Sequence, residues 1–186
     1  LIFGLLSFVS YLVEGAVGDW SALYLFEDKG ILIEEAVMGV MLFNGTMCIG
    51  RLLGNRLGKH LTSKQVVVGG YLLGSIAMGL IVFLPGHASM YTYLLLGSSL
   101  AMIVPNLFSA MGEQNVIPMT QVVATSTMLG YMGILMGPAL IGFIAHGTSL
   151  TVAFIVLTIL LVVSAGIGKY AYHLMSKDCG LSEEQI

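Results

Sequence analysis

Charged side chains are scarce in this sequence. Of its 186 residues, 7 are Lys or Arg and 10 are Asp or Glu, so that 9% are charged, against about 25% in ordinary soluble domains. A soluble fold of this size needs more polar groups to cover its surface. Two cysteines are too few for a disulfide scaffold, and a net charge of −3 argues against a nucleic-acid partner. With 57% hydrophobic residues and a mean hydropathy of +0.95, the composition indicates an integral membrane protein.

Two long runs, residues 65–112 and 114–168, contain no Asp, Glu, Lys or Arg. Each is more than twice the ~20 apolar residues that one helix needs to cross a bilayer, and each has turn residues near its middle, at Pro85-Gly86 and Gly147-Thr148. Each run therefore predicts two helices, and two more apolar stretches precede residue 65. The sequence predicts an all-α membrane domain over residues 1–175 and a short polar tail at 176–186. The six transmembrane helices are expected at about residues 2–25, 35–55, 65–84, 89–112, 121–145 and 150–173.

The basic residues are distributed unevenly between the predicted loops. Lys29 falls alone on one side of the membrane, and the other basic residues fall on the opposite side: Arg51, Arg56, Lys59, Lys64, Lys169 and Lys177. Because cytoplasmic loops carry the excess of Lys and Arg, this asymmetry predicts that both termini are cytoplasmic.

Glu14 lies near the middle of the first predicted helix, where an ionised carboxylate is costly. Ser7, Tyr11, Gly18 and Ser21 fall with it on an arc of about 80° at helical spacing. Polar residues at such depth usually mark a transport or coupling pathway, which is the interpretation that we favour. The alternative is a protonated Glu14 that is hydrogen-bonded between helices and holds the bundle together.

Three other deep polar residues are weaker candidates for the same pathway: Asn44, Asn106 and Tyr131. Pro105 leaves a backbone carbonyl about one turn earlier without its donor, and Asn106 can either bond that carbonyl or contact a ligand. Asparagines at this depth serve as often to join helices as to bind ligands.

Small residues recur at packing distance along the fifth predicted helix. Gly130, Gly133 and Gly137 lie on one stripe with Ser126, which favours close helix packing. A sliding contact between helices is the alternative interpretation of this stripe.

The sequence lacks the motifs of the common enzyme and metal sites. No nucleophile elbow, His-Glu-x-x-His motif or histidine pair at metal-ligand spacing is present. We therefore predict that the protein is not an enzyme and needs neither a cofactor nor a metal.

The connection between the second and third predicted helices resembles the cytoplasmic loop signature of the major facilitator superfamily (MFS). The resemblance is carried by Gly54, Asn55, Arg56, Gly58 and Lys59. Asn55 replaces the family's usual Asp, and Arg51 stands where its first Gly is expected. The alternative is a simple positive-inside anchor. Residues 14–25 are similar to the seventh helix, and residues 130–142 to the eleventh helix, of bacterial members near the fucose-permease branch.

This resemblance implies that the chain is the C-terminal half of a twelve-helix secondary transporter in the bacterial inner membrane. Its partners would be the N-terminal six-helix half, the lipid bilayer and a small solute moved by alternating access, with sugars favoured at the family level. Glu14, Asn44, Asn106 and Tyr131 would line the pathway. The alternative is a non-catalytic six-helix subunit or a self-assembling channel, and six further helices encoded upstream would favour the carrier.

Overall fold

The computed structural model describes residues 2–57, 61–112 and 118–179, and all regular secondary structure in these ranges is helical. The helices are α1 (Ile2–Glu27), α2 (Ile33–Leu57), α3 (Ser63–Phe83), α4 (Gly86–Leu100), α5 (Ile103–Gly112), α6 (Met119–Gly147) and α7 (Leu150–Cys179).

Six spans in this described part are long and apolar enough to cross a membrane. They correspond to α1, α2, α3, α4 with α5, α6, and α7. The predicted all-α membrane fold with six spanning helices is confirmed.

The fourth span differs from the single helix expected at residues 89–112. It begins at Gly86, and a short turn at Ala101 and Met102 divides it into α4 and α5. Pro105 has no N–H to donate to the carbonyl four residues earlier, that of Ala101, so the helix is interrupted one turn before the proline.

The second helix was expected at about residues 35–55 and runs from Ile33 to Leu57, so it extends two residues further than expected at each end. The next helix, α3, begins with a capping box in which the Thr62 hydroxyl accepts from the Gln65 backbone N–H and the Gln65 side chain accepts from the Thr62 N–H. This reciprocal bonding satisfies donors that the first helical turn cannot pair internally.

Helix α1 occupies the centre of the bundle. It packs most extensively on α6 and also contacts α2, α4, α5 and α7, while α3 packs on α7 and α4, and α2 packs on α4. Helices α1 and α6 run in the same direction, since Phe8 lies beside Gly133 and Trp20 beside Gly142. The core between these helices is mainly apolar, and the rings of Tyr24 and Phe154 stack there with 4.3 Å between their centres.

The link between α1 and α2 is fixed to the end of α3 by Lys29. Its Nζ donates to the carbonyls of Val82 at 2.6 Å and Leu84 at 2.9 Å, where the last turn of α3 leaves carbonyls unpaired. Burial lowers the pKa of Lys29, and the neighbouring Asp28 opposes that change.

Candidate functional site

An ion pair joins α1 to α2 within the membrane-spanning segments. Nη2 of Arg51 donates to Oε1 of Glu14 at 2.9 Å. The Glu14 side chain is only 11% exposed, whereas that of Arg51 is 42% exposed. An opposite charge at this distance offsets part of the cost of removing each ion from water. By comparison, the contact between His87 and Glu35 at 2.8 Å has side chains that are 58% and 49% exposed, so Glu14 is more deeply buried than either of them.

Arg51 was not expected at this site, because its position beside the loop signature indicated a cytoplasmic anchor. Since α2 extends to Leu57, Arg51 lies about 9 Å along the helix from its last residue. Glu14 lies about 18 Å from the start of α1, and the long arginine side chain bridges the difference. The signal that could have identified Arg51 is electrostatic, since an ionised carboxylate at mid-membrane depth is stabilised by a cationic partner and Arg51 is the first basic residue on the next helix.

Tyr11 lies next to the ion pair, and Tyr131 lies near Tyr11. The ring of Tyr11, one turn before Glu14 on α1, lies against Gly130 of α6, where a Cβ would stand 2.6 Å from Cδ2 of the ring. Tyr11 is close enough to Glu14, Arg51 and Tyr131 to interact with each electrostatically. Tyr131 itself is exposed. Tyr11 was expected on the polar stripe, but its contact with α6 depends on Gly130 and could not be read from α1 alone.

The two candidate asparagines lie apart from each other. Asn44 is exposed on α2, and its side-chain amide donates to the carbonyl of Val40 at 2.9 Å. Asn106 is half-buried at the start of α5 and donates to the Met102 carbonyl at 2.8 Å, which also accepts the Asn106 backbone N–H. Pro105 leaves the Ala101 carbonyl without its helical donor, but the Asn106 amide bonds the Met102 carbonyl instead of this freed one.

The polar stripe predicted on α1 is only partly open. Glu14 and Tyr11 are half-buried and Gly18 is exposed, but Ser7 and Ser21 are fully buried. The Ser7 hydroxyl donates to the Phe3 carbonyl of its own helix, a bond that lets a serine face apolar neighbours. The open part of the stripe is therefore centred on Glu14.

The predicted glycine stripe of α6 faces α1 at backbone distance. A Cβ on Gly133 would collide with the Phe8 carbonyl oxygen, and one on Gly137 with the Leu12 carbonyl oxygen. From the opposite side, a Cβ on Gly15 would stand 2.6 Å from the Ile134 carbonyl oxygen, which Pro138 leaves without its helical donor. These contacts hold the two helices close to each other.

The ion pair lies on a face of the bundle formed by α6, α1 and α2. Helices α2 and α6 pack on α1, have no direct contact with each other in the described residues, and form the two least buried spans, each 22% buried. Asn44, Cys48 and Arg51 follow one another at helical spacing along the exposed side of α2. We call this surface the Glu14 face.

The loop motif is only partly visible. Gly54 lies in α2 against the side chain of Met102, and Asn55 and Arg56 belong to the last turn of that helix. Gly58 and Lys59 lie outside the described residues. No group of three or more His, Cys, Asp or Glu side chains that could hold a metal ion occurs in the ranges described.

The chain is similar to bacterial membrane proteins. An uncharacterized MFS-type transporter of Yersinia pestis is 40% identical over 168 residues, which cover 89% of this chain and 43% of that protein. The membrane protein MosC of Rhizobium meliloti is 31% identical, covering 81% of this chain and 37% of its own length. An uncharacterized transporter of Sinorhizobium fredii is 27% identical, covering 82% of this chain and 41% of its own length.

The chain thus spans about two fifths of the length of these relatives. No family model matches the sequence, and no solved structure does. The bacterial relatives and the six apolar spans support an integral bacterial membrane protein.

Proposed function

We propose that this chain is the C-terminal six-helix half of an MFS secondary transporter, and that the whole carrier moves a small solute by alternating access. One observation carries the proposal: a Glu–Arg ion pair occupies the membrane-spanning part of the bundle on the face between its two least buried helices. Charges in such segments normally face a bundle interior or an aqueous cavity, because contact with lipid would cost too much.

The length relationship with known transporters supports the half-carrier assignment. Six spans that match about two fifths of a transporter's length are what one half of a twelve-helix carrier would provide. The other half would cover the Glu14 face, with the solute between the two halves. The resemblance of residues 14–25 and 130–142 to fucose-permease-like carriers favours that branch and cytoplasmic termini in the inner membrane.

Within this proposal the candidate residues have different roles. Glu14 is the coupling group and Arg51 its partner, while Asn44 and Tyr131, both exposed on helices that border the Glu14 face, line the pathway. Asn106 contacts the carbonyl of Met102 and lines the same pathway from α5. The motif residues Asn55, Arg56 and Lys59 would act at the cytoplasmic ends of the helices.

The proposal is tested with the full-length carrier in proteoliposomes. A thermal-shift screen of sugars, polyols and organic acids identifies a ligand, and uptake of that ligand is measured over a range of pH. Glu14→Gln is expected to abolish concentrative uptake, or to uncouple it from protons, at unchanged expression, because the amide cannot titrate.

Asp19→Asn is the matched control for Glu14→Gln. Asp19 is an exposed carboxylate on the same helix, five residues closer than Glu14 to the C-terminal end of α1. It has no role in the proposed pathway. Its replacement should leave uptake unchanged. Wild-type uptake rates in Glu14→Gln at every pH would remove Glu14 from the mechanism, and the absence of counterflow for every solute that binds would contradict the transporter itself.

A further inference from the structure

The two partners of the ion pair differ in how they can be reached from the Glu14 face. The Arg51 side chain is 42% exposed and the Glu14 side chain 11% exposed. In the described part of the chain, the guanidinium donates to Glu14 through Nη2 alone. A guanidinium has five N–H donors in a planar fork that fits a carboxylate. A solute that enters from this face therefore meets free donors of Arg51 before it meets the carboxylate.

The surroundings of the pair allow its charge to be counted. Tyr11 on α1 is the neighbouring titratable group, and Tyr131 on α6 lies within electrostatic reach of Tyr11. A tyrosine side chain adds no positive charge to its surroundings. Helices α4 and α5 contain no Asp, Glu, Lys or Arg. Those of α7 lie near its end, at Lys169, Lys177 and Asp178. With Glu14 ionised, the pair and the described groups named around it therefore carry no net charge when no solute is bound.

One loaded state of the site also has no net charge. If Glu14 takes up a proton, the pair is broken and Arg51 is left as a single positive charge in a medium of low dielectric constant, which is costly. An anion that binds Arg51 with the charge of one carboxylate restores neutrality. The proton alone leaves a net charge of +1 and the anion alone leaves −1, so the two are expected to bind together.

We propose that the solute is a small organic monoanion with one carboxylate, which binds Arg51 when Glu14 is protonated, so that one proton accompanies each anion. This proposal rests on the transporter function proposed above and adds the substrate class and the stoichiometry. A dianionic phosphate ester would leave the loaded site with a net negative charge. A neutral sugar would leave Arg51 without a counter-ion whenever Glu14 is protonated.

The inference is tested on the full-length carrier with matched pairs of probes. Lactate and propane-1,2-diol, gluconate and sorbitol, and galacturonate and galactose differ only in that a carboxylate replaces a hydroxymethyl group. In the wild type at pH 5.5, the acid of at least one pair should raise the melting temperature more than its neutral partner. Its affinity should fall up to tenfold for each pH unit above the titration of Glu14, because one proton is linked to binding.

Variants separate the roles of the two side chains. Arg51→Gln should abolish the preference for the acid, and Arg51→Lys should restore part of it because the charge returns without the planar fork. Glu14→Gln should bind the acid with an affinity that no longer depends on pH. In proteoliposomes, wild-type uptake of the acid should carry one proton per anion and should not respond to an imposed membrane potential.

Three results would overturn the inference: neutral probes that bind as well as their acids, an acid preference that survives in Arg51→Gln, or no shift with any acid. Uptake that is driven by the membrane potential would overturn the one-to-one stoichiometry. Proton-coupled uptake of a neutral probe would contradict the proposed substrate class but would agree with the transporter function. Binding without counterflow for any probe would contradict the transporter function.

Discussion

At the scale of single residues, Tyr71 joins α3 to α1 by hydrogen bonds inside the bundle. Its hydroxyl donates to the Leu6 carbonyl at 2.7 Å and lies 2.8 Å from the Ser10 hydroxyl. Tyr71 and Ser10 are fully buried, so water cannot replace either bond. A polar group deprived of its partner in such a place pays most of its desolvation cost.

We expect Tyr71→Phe to destabilise the protein by about 1–2 kcal/mol, because it removes both bonds and leaves the Ser10 hydroxyl without this partner. For a protein of this size that corresponds to a melting temperature lower by about 2–8 °C. Tyr91→Phe is the matched control, since Tyr91 is exposed on α4. Equal melting temperatures for the two variants in detergent would contradict a structural role for the Tyr71 hydroxyl.

Individual residues also show which features of the site could be predicted from the sequence and which could not. Glu14 could be identified because its depth in a helix follows from position alone, and a carboxylate at that depth is rarely accidental. Its partner Arg51 could not, since its proximity to Glu14 depends on how α1 and α2 pack. The contact of Tyr11 with Gly130 likewise requires a neighbour more than a hundred residues away.

At the scale of helices, the close packing of α1 on α6 depends on positions without a side chain. Gly133 and Gly137 bring the α6 backbone against the carbonyls of Phe8 and Leu12, and Gly15 does the same from α1. Since lipid is as apolar as the helices, contact this close must come from shape and van der Waals packing. The ion pair is supported by this arrangement because Glu14 is adjacent to Gly15.

Gly133→Ala is therefore expected to lower the stability by about 1–3 kcal/mol, as overpacking forces the two backbones apart. The control is Gly166→Ala in α7, where a Cβ would meet nothing within 4 Å and where alanine favours the helix by up to about 1 kcal/mol. Thermal melts of both variants test this. If Gly133→Ala melts with the wild type, the backbone contact is not as close as described.

The helices themselves were largely predictable, because uninterrupted apolar runs and the Pro85-Gly86 and Gly147-Thr148 turns follow directly from the sequence. The interruption of the fourth span at Ala101 and Met102 was not, although Pro105 supplied its cause. A proline within a helix can either kink it or end it, and packing decides between the two.

At the scale of the whole molecule, the ion pair distinguishes one face of the bundle. The Glu14 face carries the ion pair, Asn44, Cys48 and Tyr131, and it lies between the two least buried spans. Apolar side chains are exposed on α3 and α7, such as Ile76 and Ile159, and also on α2 and α6, such as Leu52 and Leu135. A surface that meets only lipid would not hold an ion pair, whereas a surface that meets water or another protein half can hold one.

Cys48 provides the most direct measurement of this difference. It is exposed on α2, one turn from both Asn44 and Arg51. In the full-length carrier with every other cysteine replaced by serine, we expect Cys48 to react with a membrane-impermeant maleimide, because thiolates form only where water reaches them. A cysteine placed at the exposed position of Ile159 on α7 should remain unlabelled in the same membranes. If Cys48 is as inert as Ile159→Cys, the Glu14 face meets lipid and the proposed transport pathway does not run along it.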